Sequence, residues 1–236
     1  MSQATSKTFK LPIPDQTAVT VKVDAPAPSR PRTSALILAH GSNNDLDFPL
    51  LAYLATHLAE TGRAAVVRFN FPYKERGAAS PDPRAVLEAT LMAVYEHVVD
   101  EMVEPETAVF VGGKSLGGRV AAELVSRGHE GEGPRAAGLI VLGYPLHSPG
   151  RKERLFLEPL RHIDIPSLFC IGTRDPLCDP DLLRPVLAGL VHPGDLYVVK
   201  GGDHSLHLPR SSRSKPEDSY AAVAEQVADF IERTVS

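Results

Sequence analysis

Short apolar runs alternate along the chain with longer amphipathic ones. Ala35–Ala39 (ALILA), Ala108–Gly112 (AVFVG), Gly138–Leu142 (GLIVL) and Ser167–Ile171 (SLFCI) are apolar almost without a break. Such runs predict strands of a parallel sheet covered on both faces. Ala18–Val23 differs, because Val19, Val21 and Val23 alternate with polar partners. That pattern predicts an antiparallel strand with one wet face. Thr8–Ile13, Ala65–Asn70 and Leu196–Lys200 complete the predicted strands.

Helices are predicted over Phe48–Glu60, Pro81–Met102, Leu116–Arg127, Pro180–Leu190 and Pro216–Ile231. The last carries Tyr220, Val223, Val227 and Phe230 on one face, at helical spacing. Asp47, Ser80 and Asp179 stand where N-caps belong, and a side-chain oxygen there satisfies a free N–H of the first turn. Ser214 and Glu217 have the spacing of a capping box. A hairpin followed by βα repeats predicts an α/β fold. The expected architecture is one domain over 1–236: a mostly parallel, doubly wound, eight-stranded sheet with an N-terminal antiparallel hairpin and helices on both faces. Ligands of such sheets bind at the carboxyl ends of the strands.

Composition narrows the classes. The 236 residues are 43% hydrophobic and 23% charged, the balance of an ordinary soluble protein. A net charge of −4 gives no reason to expect nucleic acid or an anionic membrane as partner. No apolar run approaches the ~20 residues of a membrane span, and the N-terminal stretch lacks the apolar core of a secretory signal. Cys170 and Cys178 make no disulfide framework. A cytoplasmic location is the expectation, with the oligomeric state open.

The stretch Val109–Arg119 reads VFVGGKSLGGR. Four glycines around one serine suit neither a helix nor a strand interior. Gly113-Lys114-Ser115-Leu116-Gly117 matches G-x-S-x-G, which sets a serine on a strained strand-to-helix turn with its hydroxyl exposed. The following helix N-terminus favours a developing anion. The plain alternative is a glycine-rich turn with an incidental serine.

A serine nucleophile needs a base, and the base an orienting carboxylate. With this motif the chain order is Ser, Asp or Glu, His. Asp175 follows the strand SLFCI, and His204 follows LYVVK. Their rivals are Asp179, which an N-cap role explains, and His207, three residues past His204. Asp164 precedes its strand and lies at the wrong end of the sheet. One oxyanion donor is expected to be the Leu116 N–H and the other the Ser42 N–H, in the loop His40-Gly41-Ser42 after the third strand. His40 is expected to bond within that loop.

On these residues the chain resembles the α/β-hydrolase superfamily, and by its lid-less length the small dienelactone-hydrolase-like group. GGKSLGGR is similar to the elbow of one subgroup. The resemblance implies that Ser115, Asp175 and His204 are catalytic. Dienelactone hydrolase itself carries a cysteine at the nucleophile, where this chain has Ser115, so another substrate is implied.

The reading is a serine esterase or thioesterase acting on a small acyl substrate, with no metal or organic cofactor. Two other readings keep the same shell: a non-catalytic binding module, and the same triad turned to peptide or C–C bond hydrolysis. Asn43, Phe71, Tyr73, Tyr144 and His147 follow strand ends and are expected to line a pocket. Lys74, Arg76, Arg151 and Lys152 form either an anion-recognising rim or plain surface charge. Lys114 and Arg119 are expected to make structural ion pairs.

Overall fold

The computed structural model describes residues 4–14, 16–27, 33–128, 131–209 and 216–236. Its strands are β1 (Thr5–Leu11), β2 (Val19–Ala25), β3 (Ser34–Ala39), β4 (Ala65–Phe69), β5 (Ala108–Lys114), β6 (Gly138–Leu142), β7 (Ser167–Gly172) and β8 (Asp195–Val199). They form one sheet in the order β1-β2-β4-β3-β5-β6-β7-β8. β1 pairs antiparallel with β2 and β2 with β4, and every later pair is parallel.

Helices α1 (Pro49–Thr61), α2 (Pro72–Glu75), α3 (Arg84–Glu101), α4 (Leu116–Ser126), α5 (Pro180–Ala188) and α6 (Pro216–Val235) cover the sheet. Side chains alternate across a strand, so each central strand feeds two cores. Ala35, Ile37 and Ala39 of β3 join Leu87, Leu91 and Val94 of α3 and Val120 of α4. Leu36 and Leu38 join Leu50, Leu54 and Leu58 of α1 and Val223 and Val227 of α6. Full burial of each Leu, Ile or Val among them contributes about 1.5–3 kcal/mol, which is why these strands read as unbroken apolar runs.

Boundaries differ from the sequence reading for local reasons. β1 stops at Leu11, short of Ile13, because Pro12 and Pro14 have no N–H for a ladder. β5 runs on to Lys114, whose ladder partner is Leu142. α3 begins at Arg84, so Ser80 is not its cap. Residues before proline are pushed out of helical conformation, and Pro81 and Pro83 delay the helix. Asp47 is not a cap either, since α1 starts from Phe48 with no side-chain bond. Asp47 instead accepts from Arg68 Nη1 and Lys22 Nζ, each at 3.1 Å. Arg68 is 2% exposed and also bonds Asp24 at 2.8 Å and Leu46 O at 2.7 Å. A buried guanidinium needs such partners, and this demand overrides capping. Asp179 does cap α5, accepting from the Asp181 N–H at 3.0 Å. Ser214 lies outside the described residues.

Candidate active site

The carboxyl ends of β3, β5, β6, β7 and β8 bring the site together. Ser115 sits between β5 and α4 with φ 50° and ψ −111°. Left-handed φ is costly for a residue with a Cβ, on the order of 1–3 kcal/mol. The conformation is held from both sides: the Ser115 N–H donates to Leu142 O at 3.0 Å, and Ser115 O accepts from the Arg119 N–H at 2.9 Å. Gly117 lets α4 lie directly on β3, since a Cβ there would stand 2.4 Å from Ala39 O and 2.7 Å from His40 O.

His204 Nε2 lies 2.9 Å from Ser115 Oγ, and His204 Nδ1 lies 2.8 Å from Asp175 Oδ2. A carboxylate only accepts, so Nδ1 carries the proton and Nε2 offers its lone pair to the serine O–H. Asp175 Oδ1 accepts from the Leu177 N–H at 2.8 Å. The Asp175 side chain has 0% exposure and that of His204 has 20%, so the imidazole reaches solvent while its carboxylate does not. Gly143, at φ +70°, makes room for the base, because a Cβ there would lie 2.6 Å from His204 O. A glycine just after a strand, as Gly143 is after β6, is the local signal in the sequence for this close approach.

The rivals are engaged elsewhere. Asp179 caps α5 and pairs with Lys152 at 2.6 Å. His207 bonds the Tyr220 hydroxyl and faces Asp203 at 3.6 Å. Asp164 is exposed ahead of β7.

The N–H of Leu116, first residue of α4, has no acceptor within its helix, as at every helix start. In the loop after β3, His40 is fully buried. It accepts the Phe71 N–H on Nε2 at 3.1 Å, so its Nδ1–H donates to Gly41 O at 2.8 Å. Burial depresses its pKa to about 4, so it is a neutral internal strut. Ser42 is half-buried beside it, and its N–H donates to no protein acceptor among the described residues.

The expected pocket needs correction. Phe71, Tyr73 and Tyr144 have no accessible surface and belong to the core on the α3 side of the sheet. The large apolar area of an aromatic ring favours that burial. His147 is 1% exposed and bonds Ser148 O through Nδ1 at 3.0 Å. Of the five, Asn43 is the exposed one. Half-buried Pro145 follows β6 and half-buried Leu177 follows β7. Two of the four basic side chains are paired: Arg76 with Asp82 and Lys152 with Asp179.

Arg119 makes the expected ion pair, with Glu123 at 2.9 Å. Lys114 does not. It is 5% exposed and its Nζ stands 5.2 Å from the centre of the Phe48 ring. Burial depresses its pKa, against the pull of the Asp175 and Asp203 carboxylates. Among the described residues no group of three or more His, Cys, Asp or Glu is placed to hold a metal ion. No described helix is long and apolar enough to cross a membrane.

Comparison with known proteins fits this architecture. Residues 32–232 match the model of a family described as an alpha/beta hydrolase domain. The dienelactone hydrolase of Anabaena variabilis superposes with a TM-score of 0.75 at 17% identity, covering 98% of each chain. An α/β serine hydrolase without a lid from Xanthomonas campestris gives 0.69 at 20% identity, covering 99% of this chain and 95% of that one. The esterase domain of a Rhodothermus marinus protein gives 0.70 at 18%, covering 98% and 100%.

Proposed function

The chain belongs to the alpha/beta hydrolase domain family, and from that premise we propose that it is a serine hydrolase that cleaves a small ester or thioester through an acyl-enzyme. One observation carries the reading: an unbroken relay from Ser115 Oγ through His204 to Asp175, at 2.9 and 2.8 Å. A binding module has no use for a strained serine aligned with a correctly tautomerised imidazole.

In this reading Ser115 Oγ attacks the carbonyl carbon while His204 Nε2 takes its proton. Asp175 stabilises the imidazolium and holds its tautomer. The N–H groups of Leu116 and Ser42 receive the oxyanion. Collapse of the tetrahedral intermediate expels the alcohol or thiol, which takes the proton from His204. Water then attacks the acyl-enzyme, with His204 as base, and the acid leaves.

Pairing of Arg76 and Lys152 with carboxylates leaves the rim less basic than its composition suggests, which favours neutral acyl substrates. The serine in GGKSLGGR supports a reading that groups the chain with a serine-bearing subgroup of the dienelactone-hydrolase-like group. The Xanthomonas campestris serine hydrolase without a lid supports a cleft open to small substrates.

The test is reaction with a fluorophosphonate, read by intact mass beside Ser115→Ala and His204→Ala. A single adduct on the wild type, lost in both variants, is the expected result. No adduct on folded wild-type protein would sink the proposal.

A further inference from the structure

The loop after β3 is held by its carbonyl groups. Gly41 O accepts from the His40 Nδ1–H at 2.8 Å, the Asn44 N–H at 3.1 Å and, more weakly, the Tyr73 hydroxyl at 3.4 Å. Ser42 O accepts from the same hydroxyl at 2.8 Å. His40 and Tyr73 are both fully buried, so both carbonyls face the interior. The peptides are trans. In a planar trans peptide the N–H points opposite to the carbonyl of its own unit. The Gly41 carbonyl shares its unit with the Ser42 N–H, and the Ser42 carbonyl shares its unit with the Asn43 N–H. Both N–H groups are thereby turned away from Tyr73, and neither donates to a protein acceptor among the described residues. The loop also borders the nucleophile: a Cβ on Gly41 would stand 3.6 Å from Ser115 Cβ.

We propose that Tyr73 is the positioning residue of the oxyanion loop: its hydroxyl fixes two successive peptide planes so that the Ser42 and Asn43 N–H groups face the oxyanion that forms beside Ser115. The inference rests on the hydrolase reading above. It goes beyond it by adding Asn43 as a donor and by giving the donors a cause. Donors aligned before the reaction need no reorganisation during it. Tyr73 sits in α2, a single turn that starts at Pro72, and its ring stacks on Phe71 at 16°. The hydroxyl is therefore held by a rigid corner. Without it the Ser42 carbonyl loses its partner, and a carbonyl left unpaired seeks water. Rotation of that carbonyl toward solvent carries the Asn43 N–H inward.

The test compares Tyr73→Phe with the wild type, since the substitution keeps the ring and removes only the hydroxyl. Three quantities are read: the second-order rate of Ser115 phosphonylation by a fluorophosphonate, kcat and KM for p-nitrophenyl acetate, and exchange of the Asn44 amide, whose bond to Gly41 O reports the loop. Phosphonylation and kcat are each expected to fall roughly tenfold or more, part of the loss seen when a whole oxyanion donor is removed. KM should hold, and Asn44 exchange should quicken. A purely structural tyrosine would lower the melting temperature and leave kcat at its wild-type value. Unchanged phosphonylation, unchanged Asn44 exchange, or a change confined to KM would each overturn the inference. Wild-type protein that takes no phosphonate at all would instead count against the hydrolase reading, and the exchange measurement would still decide whether Tyr73 holds the loop.

Discussion

His204 meets Ser115 through Nε2 at 2.9 Å although 89 positions separate them. The contact is closed by a third residue, because Asp175 holds the opposite ring nitrogen at 2.8 Å and so dictates which nitrogen is free to act as base. Asp175→Asn is therefore expected to favour the wrong tautomer and cut kcat/KM by about 10⁴-fold while leaving the fold intact. Steady-state kinetics with p-nitrophenyl acetate, beside a circular dichroism melt, checks both halves. Activity within a few-fold of wild type would remove Asp175 from the relay.

Gly117 is where α4 touches β3 backbone to backbone. An added Cβ would stand 2.4 Å from Ala39 O, closer than any side-chain adjustment relieves. Gly117→Ala is expected to cost about 3 kcal/mol, measured by urea denaturation. Gly128 has nothing among the described residues within 4 Å of the same added atom, so Gly128→Ala should leave the midpoint nearly unchanged. Equal effects at the two positions would show that close approach is not what selects glycine in the elbow.

Lys114 is a buried cation with no ion pair among the described residues, and its pKa is depressed by burial from an ordinary 10.5. Between the depressed value and 10.5 the unfolded chain binds more protons than the folded one, so this group makes stability rise with pH through that window. At neutral pH the charge is a burden. Lys114→Met, similar in shape and uncharged, should stabilise by about 1 kcal/mol or more. That raises the melting temperature by roughly 2–4 °C in a chain of this length. A lower melting temperature would mean that the ammonium holds a favourable contact instead.

His40 gives a signature of the same sign on the acid side. Its folded pKa is about 4, against 6.5 for an ordinary histidine, because burial disfavours the imidazolium. The neutral form is the one the loop uses, so its contribution is fully present above pH 6.5 and is lost as the pH falls to about 4. The loss amounts to about 3 kcal/mol. Urea midpoints taken down this range should fall in the wild type and fall less steeply in His40→Gln. Parallel slopes would assign the acid sensitivity to other groups.

Much of this protein was legible along the chain because the relevant physics is local. A strand covered on both faces must be apolar at every position, and Ala35–Ala39 is. A tight strand-to-helix turn demands small neighbours, so the glycines around Ser115 announce it. Asp175 and His204 could be nominated because each follows the end of a late strand, where an α/β sheet exposes its loops.

What only the tertiary structure decided lies in partnerships between distant positions. Whether Asp47 caps α1 or serves Arg68 depends on a buried guanidinium 21 positions away, whose unmet charge outweighs one N-cap bond. Tyr73 looks from the sequence like a ring on a pocket wall, and in the fold it is a buried hydroxyl 31 positions from the carbonyl it holds. Lys114 is expected from the sequence to make a structural ion pair, and in the fold it is enclosed against Phe48. Backbone sterics and side-chain period act within a few residues, so the sequence by itself determined strands, helices and the serine corner. The register of eight strands sets which face each side chain meets, and that register exists only once the whole sheet has formed.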